Sequence, residues 1–129
     1  MAEPAPSDDT EIPDEADLWR RIPPVPGYTI LDHNSGRLHP TSLAFTDGRG
    51  GAPVSVVIAS EAGEPSVVLA GHEGYGLVAV KAGIVRSCGQ IVVRDPLPGA
   101  PWHALVIGNK THAVRSQLAK AVEWVKLPG

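Results

Sequence analysis

Apolar residues recur along this chain in two rhythms, one short and one long. The run Val54-Ser55-Val56-Val57-Ile58-Ala59 is rich in β-branched side chains and follows Asp47-Gly48-Arg49-Gly50-Gly51, a cluster that tolerates positive φ, so it reads as a strand. Residues 42–46 alternate weakly and read as a second strand, which predicts a hairpin over 42–59. Residues 28–31 form a further short strand, closed by the dense turn signal Asp32-His33-Asn34-Ser35-Gly36. Residues 90–94 and 102–107 give two more strands, joined by the rigid loop Asp95-Pro96-Leu97-Pro98-Gly99-Ala100-Pro101. Residues 66–69 fit a strand or one turn of helix equally well.

The longer rhythm appears twice. Leu77, Val80 and Ile84, with Val78 and Val85, fit a helical stripe ending near Cys88-Gly89, where glycine is a natural stop. Thr111 is a candidate N-cap for a final helix on which Val114, Leu118, Ala121 and Val125 share one face. The resulting order, β-β-β-α-β-β-α, predicts an α+β fold with an antiparallel or mixed sheet and two helices on one face.

Composition refines this picture. A chain of 129 residues leaves room for one domain, and with 43% apolar but only 5% aromatic residues its core must be filled by Val, Ala, Leu and Ile. The net charge of −3 conceals a division. Residues 1–17 carry seven acidic side chains and no basic one, whereas residues 18–129 carry all eleven Lys and Arg. Lacking apolar periodicity, residues 1–17 are expected to form a disordered acidic tail ahead of a single domain at 18–129. The folded part is expected to open with Leu18, Trp19 and Ile22, followed by an extended arm at Pro23-Pro24-Val25-Pro26-Gly27.

No run reaches the roughly 18 apolar residues of a membrane span, and the N-terminus is acidic where an export signal is basic. The single cysteine, Cys88, has no partner for an internal disulfide, in keeping with a reducing compartment; a cytoplasmic location is expected. A body charge of about +4 falls short of the dense basic stripe of a nucleic-acid binder.

Candidate chemistry gathers at the second hairpin. Asp95 leaves one strand where Trp102 and His103 enter the next, so a carboxylate is expected within reach of an imidazole, as in sites where Asp orients a general base. Asp before Pro is equally a routine turn residue, and His103 is equally read as a packed core histidine. His72, in Gly71-His72-Glu73-Gly74-Tyr75-Gly76, is a further catalytic candidate, and Arg37, Arg86 and Lys110 are candidates for holding an anionic group. The histidines and Cys88 show no metal-ligand spacing, so no metal and no cofactor is expected. Trp19 and Trp102, beside the proline-rich segments, are candidate anchors for a protein partner.

The segments Leu18-Trp19-Arg20-Arg21-Ile22-Pro23-Pro24, Arg37-Leu38-His39-Pro40-Thr41-Ser42-Leu43-Ala44-Phe45 and Asp95 to Gly108 resemble those of a family of short, uncharacterised bacterial proteins. The resemblance spans most of residues 18–125 and implies a stand-alone bacterial cytosolic protein; it implies nothing about mechanism. Two functions are therefore expected in order. The first is an accessory protein binding a partner through the Trp19-to-Pro26 arm and the 95–101 loop. The second is a small metal-independent hydrolase or transferase using His103 and Asp95 on an anionic substrate.

Overall fold

The computed structural model describes residues 5–129. Its centre is a six-stranded antiparallel sheet built from β1 (Asp17–Ile22), β4 (Val54–Ile58), β5 (Gly76–Lys81), β6 (Ile91–Arg94), β7 (His103–Ile107) and β8 (Glu123–Lys126), in the order β6-β7-β4-β1-β5-β8. A separate hairpin pairs β2 (Thr29–Asp32) with β3 (Arg37–Pro40). Four helices complete the fold: α1 (Ala59–Ala62), α2 (Pro65–Leu69), α3 (Ala82–Ser87) and α4 (His112–Ala121). The α+β class and the antiparallel sheet are as the sequence predicts.

Alternation along the strands divides the side chains between two faces. Leu18 and Ile22 of β1, Val54, Val56 and Ile58 of β4, Val78 and Val80 of β5, and Val92, Ala104 and Val106 point to the principal core. There they meet Ala82 and Val85 of α3, Leu118 and Ala119 of α4, and Phe45 from a 3₁₀ turn at Ser42–Phe45. The other face carries Val57 and Leu77, which pack with Val68 of α2, Trp19 and Trp102. Helices therefore cover both faces, not one as expected, and the core is aliphatic with Phe45 its one large aromatic.

Three segments depart from the sequence pattern for identifiable reasons. Residues 77–81, expected as the start of a helix, form β5, an inner strand between β1 and β8. Because both of its faces are covered, its apolar run is continuous and imitates a helical stripe; only the last six residues, α3, are helical. Residues 42–45, expected as a strand, bury Ala44 and Phe45 in succession, which an alternating strand with one buried face cannot do. The Thr41 side chain caps this 3₁₀ turn by accepting from the Leu43 amide at 3.3 Å, and the 42–59 hairpin is absent because β4 pairs instead with β1 and β7. The last helix starts at the Thr111 cap, as expected, but ends at Ala121, and the chain turns back as β8 against β5.

The acidic segment departs most from expectation: residues 1–4 of the expected tail lie outside the described residues, and those from Asp8 onward are laid on the body. Ile12 is only 1% exposed and belongs to the principal core. The Asp9 amide donates to the Val92 carbonyl (2.8 Å), the Gly83 amide to Asp14 (2.8 Å) and the Ala82 amide to Ala16 (2.9 Å). At Gly83 any Cβ would stand 2.9 Å from that of Asp14, so glycine admits the crossing chain. Residues 8–16 are thus laid on the body and Asp17 already belongs to β1. One apolar anchor and complementary charges on the body are enough to order a segment that its own composition leaves unfolded.

Candidate functional site

The β6–β7 hairpin forms as expected, with Ile91 opposite Ile107 and Arg94 opposite Ala104. It brings the proposed pair together: His103 Nδ1 lies 3.1 Å from Asp95 Oδ2 and 3.0 Å from the Asp95 carbonyl, and the Asp95 amide donates to the His103 carbonyl at 2.9 Å. Two acceptors on one side of the ring hold a proton on Nδ1 and leave Nε2 available. The ring, however, is buried, and it lines a cavity shared with Trp19, Arg21 and Ser55 of only about 10 Å³. Such a space holds a single water, too little for a substrate.

The other candidates do not converge on this pair. His72 follows α2, stacks edge-on against Tyr75 at 5.0 Å and does not line the His103 cavity. Burial first, and the charge of Arg21 second, hold its pKa below the usual histidine range, which favours the neutral ring. Arg86 is occupied by Asp8 (3.1 Å), Asp14 (2.7 Å) and the Asp9 carbonyl (3.0 Å); burial lowers its pKa, but those carboxylates outweigh it and raise the value overall. Lys110 is more fully committed. Its side chain is 3% exposed and its ammonium reaches Asp47 Oδ1 (2.8 Å) and the carbonyls of Val106 (2.8 Å) and Gly108 (3.4 Å). An ion pair to Asp47 and two carbonyl acceptors thus neutralise and hold this buried ammonium from within. Arg86 and Lys110 are therefore structural cations, each neutralised from within. Arg37, on β3, is the one of the three proposed anion holders that has no ion-pair partner among the described residues.

Trp19 and Trp102 are half-buried and pack against the second cluster with Leu69 and Ala62. They seal that side of the sheet and are not free anchors. The proline-rich turn at 23–27 and the loop at 96–101 remain largely exposed, with Val25 and Leu97 at their surfaces. Among the described residues no group of three or more His, Cys, Asp or Glu is placed to hold a metal ion, and no helix is long and apolar enough to cross a membrane.

A much larger concave surface than the His103 cavity lies elsewhere. Between the β2–β3 hairpin and β8 runs a groove of about 730 Å³ lined by Leu31, Leu38, Val122, Trp124, Leu127 and Pro128, with Arg37, His39 and Glu123 also in its walls. The Trp124 indole donates to the Leu38 carbonyl (2.8 Å) and so ties the hairpin to the sheet. Gly76 makes room for that indole, since a Cβ there would lie 2.8 Å from the ring. Of its lining residues, Leu31 (48% exposed) and Leu127 (56%) are open to solvent. The sequence reading misses the groove because it assigns Val125 to the helical stripe and leaves β3 as loop; the one usable signal is the Asp32–Gly36 turn, which predicts a returning strand.

Comparison with protein-family models, with curated proteins and with solved structures yields no match.

Proposed function

We propose that this chain is a non-catalytic accessory protein of a bacterial cytoplasm that docks an extended segment of a partner protein in the groove between the β2–β3 hairpin and β8. The observation that carries this reading is that exposed Leu31 and Leu127 line, with Leu38, Val122, Trp124 and Pro128, an apolar groove of about 730 Å³. Clustered apolar exposure of this kind is characteristic of interaction surfaces, whereas single exposed side chains are not. β8 is the last strand of its sheet, so its outer backbone groups are available to pair with an added strand while the groove receives alternate side chains. The docking surface thus moves from the two packed tryptophans to the C-terminal strand. The test is affinity capture from the source organism with the wild-type chain and with Leu31→Asp: a partner recovered by the first and lost by the second, at equal thermal stability, supports the reading. Equal recovery by both removes it.

The contact between His103 and Asp95 keeps a second reading in view, a small hydrolase or transferase with His103 as general base and Asp95 orienting it. The enzyme reading needs Arg37, Arg86 or His72 beside that pair to bind an anionic group, and none of the three lines the His103 cavity. His103→Ala separates the two readings. As a packing and loop-tethering residue it should lower stability by about 1–3 kcal/mol in urea unfolding; a variant with unchanged melting temperature but abolished turnover of any phosphate or carboxylic ester would establish the enzyme instead.

A further inference from the structure

A second concave site lies away from both the groove and the His103 pair, and it is built around Arg20. Arg20 sits on β1, an inner strand, on the same face as Leu18 and Ile22. Its Nε donates to the Ala44 carbonyl (2.9 Å) and one terminal nitrogen to the Ser55 carbonyl (3.0 Å). Both acceptors are neutral, and among the described residues no carboxylate lies within ion-pairing distance of the guanidinium. Arg86, Arg94 and Lys110, by contrast, each face a carboxylate. A guanidinium has five N–H groups, so most of the Arg20 donor capacity is unused. Its withdrawal from water depresses its pKa from the usual arginine range, with Tyr28 acting in the opposite sense and Arg21 reinforcing the decrease.

The space beside it is a pocket of about 370 Å³, within the range of small-molecule sites. Tyr28 lines the same pocket, and its hydroxyl makes no hydrogen bond to any described residue. Thr46 donates its hydroxyl proton to the Ser42 carbonyl at 3.3 Å, leaving its lone pairs exposed to the pocket. Leu43, Ala52, Pro53 and Val54 supply apolar wall. The one carboxylate in the lining, Asp47, is matched by Lys110 at 2.8 Å. The pocket therefore contains one uncompensated positive charge, one unpartnered hydroxyl and an apolar wall. A charge withdrawn from water without a counter-ion is unfavourable, and an anionic ligand would supply the missing partner.

We propose that this pocket binds a small organic anion, a carboxylate or phosphate head group on a short apolar body, with the free edge of Arg20 and the Tyr28 hydroxyl as its donors. The head group accepts hydrogen bonds from the guanidinium fork, for which planar oxyanions are the natural complement. The body lies against Leu43 and Pro53.

The test is NMR titration of the full chain with sodium phosphate, acetate and butyrate, ionic strength held constant with chloride. A saturable shift of the Arg20 Nε–Hε signal and of the Gly48 and Ser55 amides is the expected result. Butyrate binding more tightly than acetate identifies a carboxylate ligand with an apolar body, and phosphate binding more tightly than either identifies a phosphate ester; both outcomes support the site. Arg20→Lys keeps the charge but not the fork and should weaken binding more than about tenfold. Should that variant fail to fold, Tyr28→Phe decides, because it removes only the hydroxyl and should weaken binding roughly three- to tenfold. Shifts that are linear in anion and equal to those given by chloride, shifts centred on Arg37 or Arg49, or an unchanged affinity in Tyr28→Phe would each overturn the proposal.

Discussion

The two edges of the six-stranded sheet are treated in opposite ways. At the β6 edge the Val92 amide donates to Asp8 Oδ1 (2.9 Å) and the Val92 carbonyl accepts from the Asp9 amide (2.8 Å), so the acidic segment satisfies the outward backbone groups of Val92. Arg86 holds Asp8 and Asp14, Arg94 holds Asp9 (2.9 Å) and Glu61 (2.6 Å), and Ile12 is driven into the core. At the β8 edge nothing comparable is present among the described residues, and the flanking side chains Val125 and Leu127 are exposed. Unpaired strand edges invite association, and proteins commonly blunt them with charge or cover. Here one edge is covered by a negatively charged segment through Asp8 and Asp9 and the other is left apolar and open. The difference teaches where the molecule is closed to partners and where it is available to them.

The most severe way to break this contrast is to release the covered edge. Ile12→Ala truncates the main apolar anchor of the acidic segment at a fully buried site, and it should cost about 2–5 kcal/mol, the range for truncating buried aliphatic side chains. Urea unfolding measures the loss. Amide exchange at Val92 should accelerate in the same variant, giving the β6 edge the unprotected character of β8. A loss below about 0.5 kcal/mol, the range of ordinary surface changes, would show that the segment is not integral to the fold.

Next in size is the charge that fastens the segment. Arg86→Ala strips both Asp8 and Asp14 of their partner; since Asp14 is 72% exposed and Asp8 26%, most of the effect should come from Asp8. A destabilisation of about 1–2 kcal/mol is expected, with Val92 exchange rising while the β7 amides stay protected. If all amides of the sheet accelerate equally, Arg86 supports the whole domain and the edge is not a separable unit.

A smaller effect should be visible in pH dependence. Burial tends to raise the Asp8 pKa, but the Val92 amide and Arg86 outweigh it and hold the carboxyl below its ordinary value. The folded state then binds fewer protons than the unfolded state, so this contribution to stability is fully present above the unfolded value of about 3.9 and disappears as pH falls through the lower, folded value. Asp8→Asn should therefore flatten the stability profile on the acid side and leave its slope above pH 6 unchanged. An acid limb identical to wild type would assign the acid sensitivity to other carboxylates.

What the sequence makes legible follows from how local each signal is. The 90–107 hairpin, the Thr111 cap and the β4 strand are encoded by nearby residues, and the proximity of Asp95 and His103 follows from that hairpin. β5 is misread because burial on both faces erases the alternation that marks a strand, and β8 because Val125 falls into phase with the preceding helix. The order of residues 8–16 is invisible for a different reason: Arg86 and Arg94 lie more than 70 residues away, and only the tertiary fold brings them to the acids. The same remoteness explains the candidate sites. Lys110 reads as a free cation until Asp47 is found beside it, and the groove lies between the β2–β3 hairpin and β8, of whose three strands only β2 is marked as a strand by local pattern.

The finest test leaves the fold intact and acts on the open edge alone. Leu31→Asp and Leu127→Asp place charge at positions that are already 48% and 56% exposed, so stability should change by no more than about 0.5 kcal/mol. Affinity for a partner strand seated in the groove should nevertheless fall by at least about tenfold, because a carboxylate there must be desolvated against Leu38 and Trp124 whenever the groove is filled. Tryptophan fluorescence, read during titration with the captured partner in a Trp19→Phe, Trp102→Phe background, reports occupancy, since Trp124 is the tryptophan in the groove wall. The corresponding substitution at the covered edge, Val93→Asp on β6, should leave that titration unchanged. If instead the β6 variant abolishes binding and the two groove variants do not, the assignment of closed and open edges is reversed, and the acidic segment must be a displaceable cover over the true docking strand.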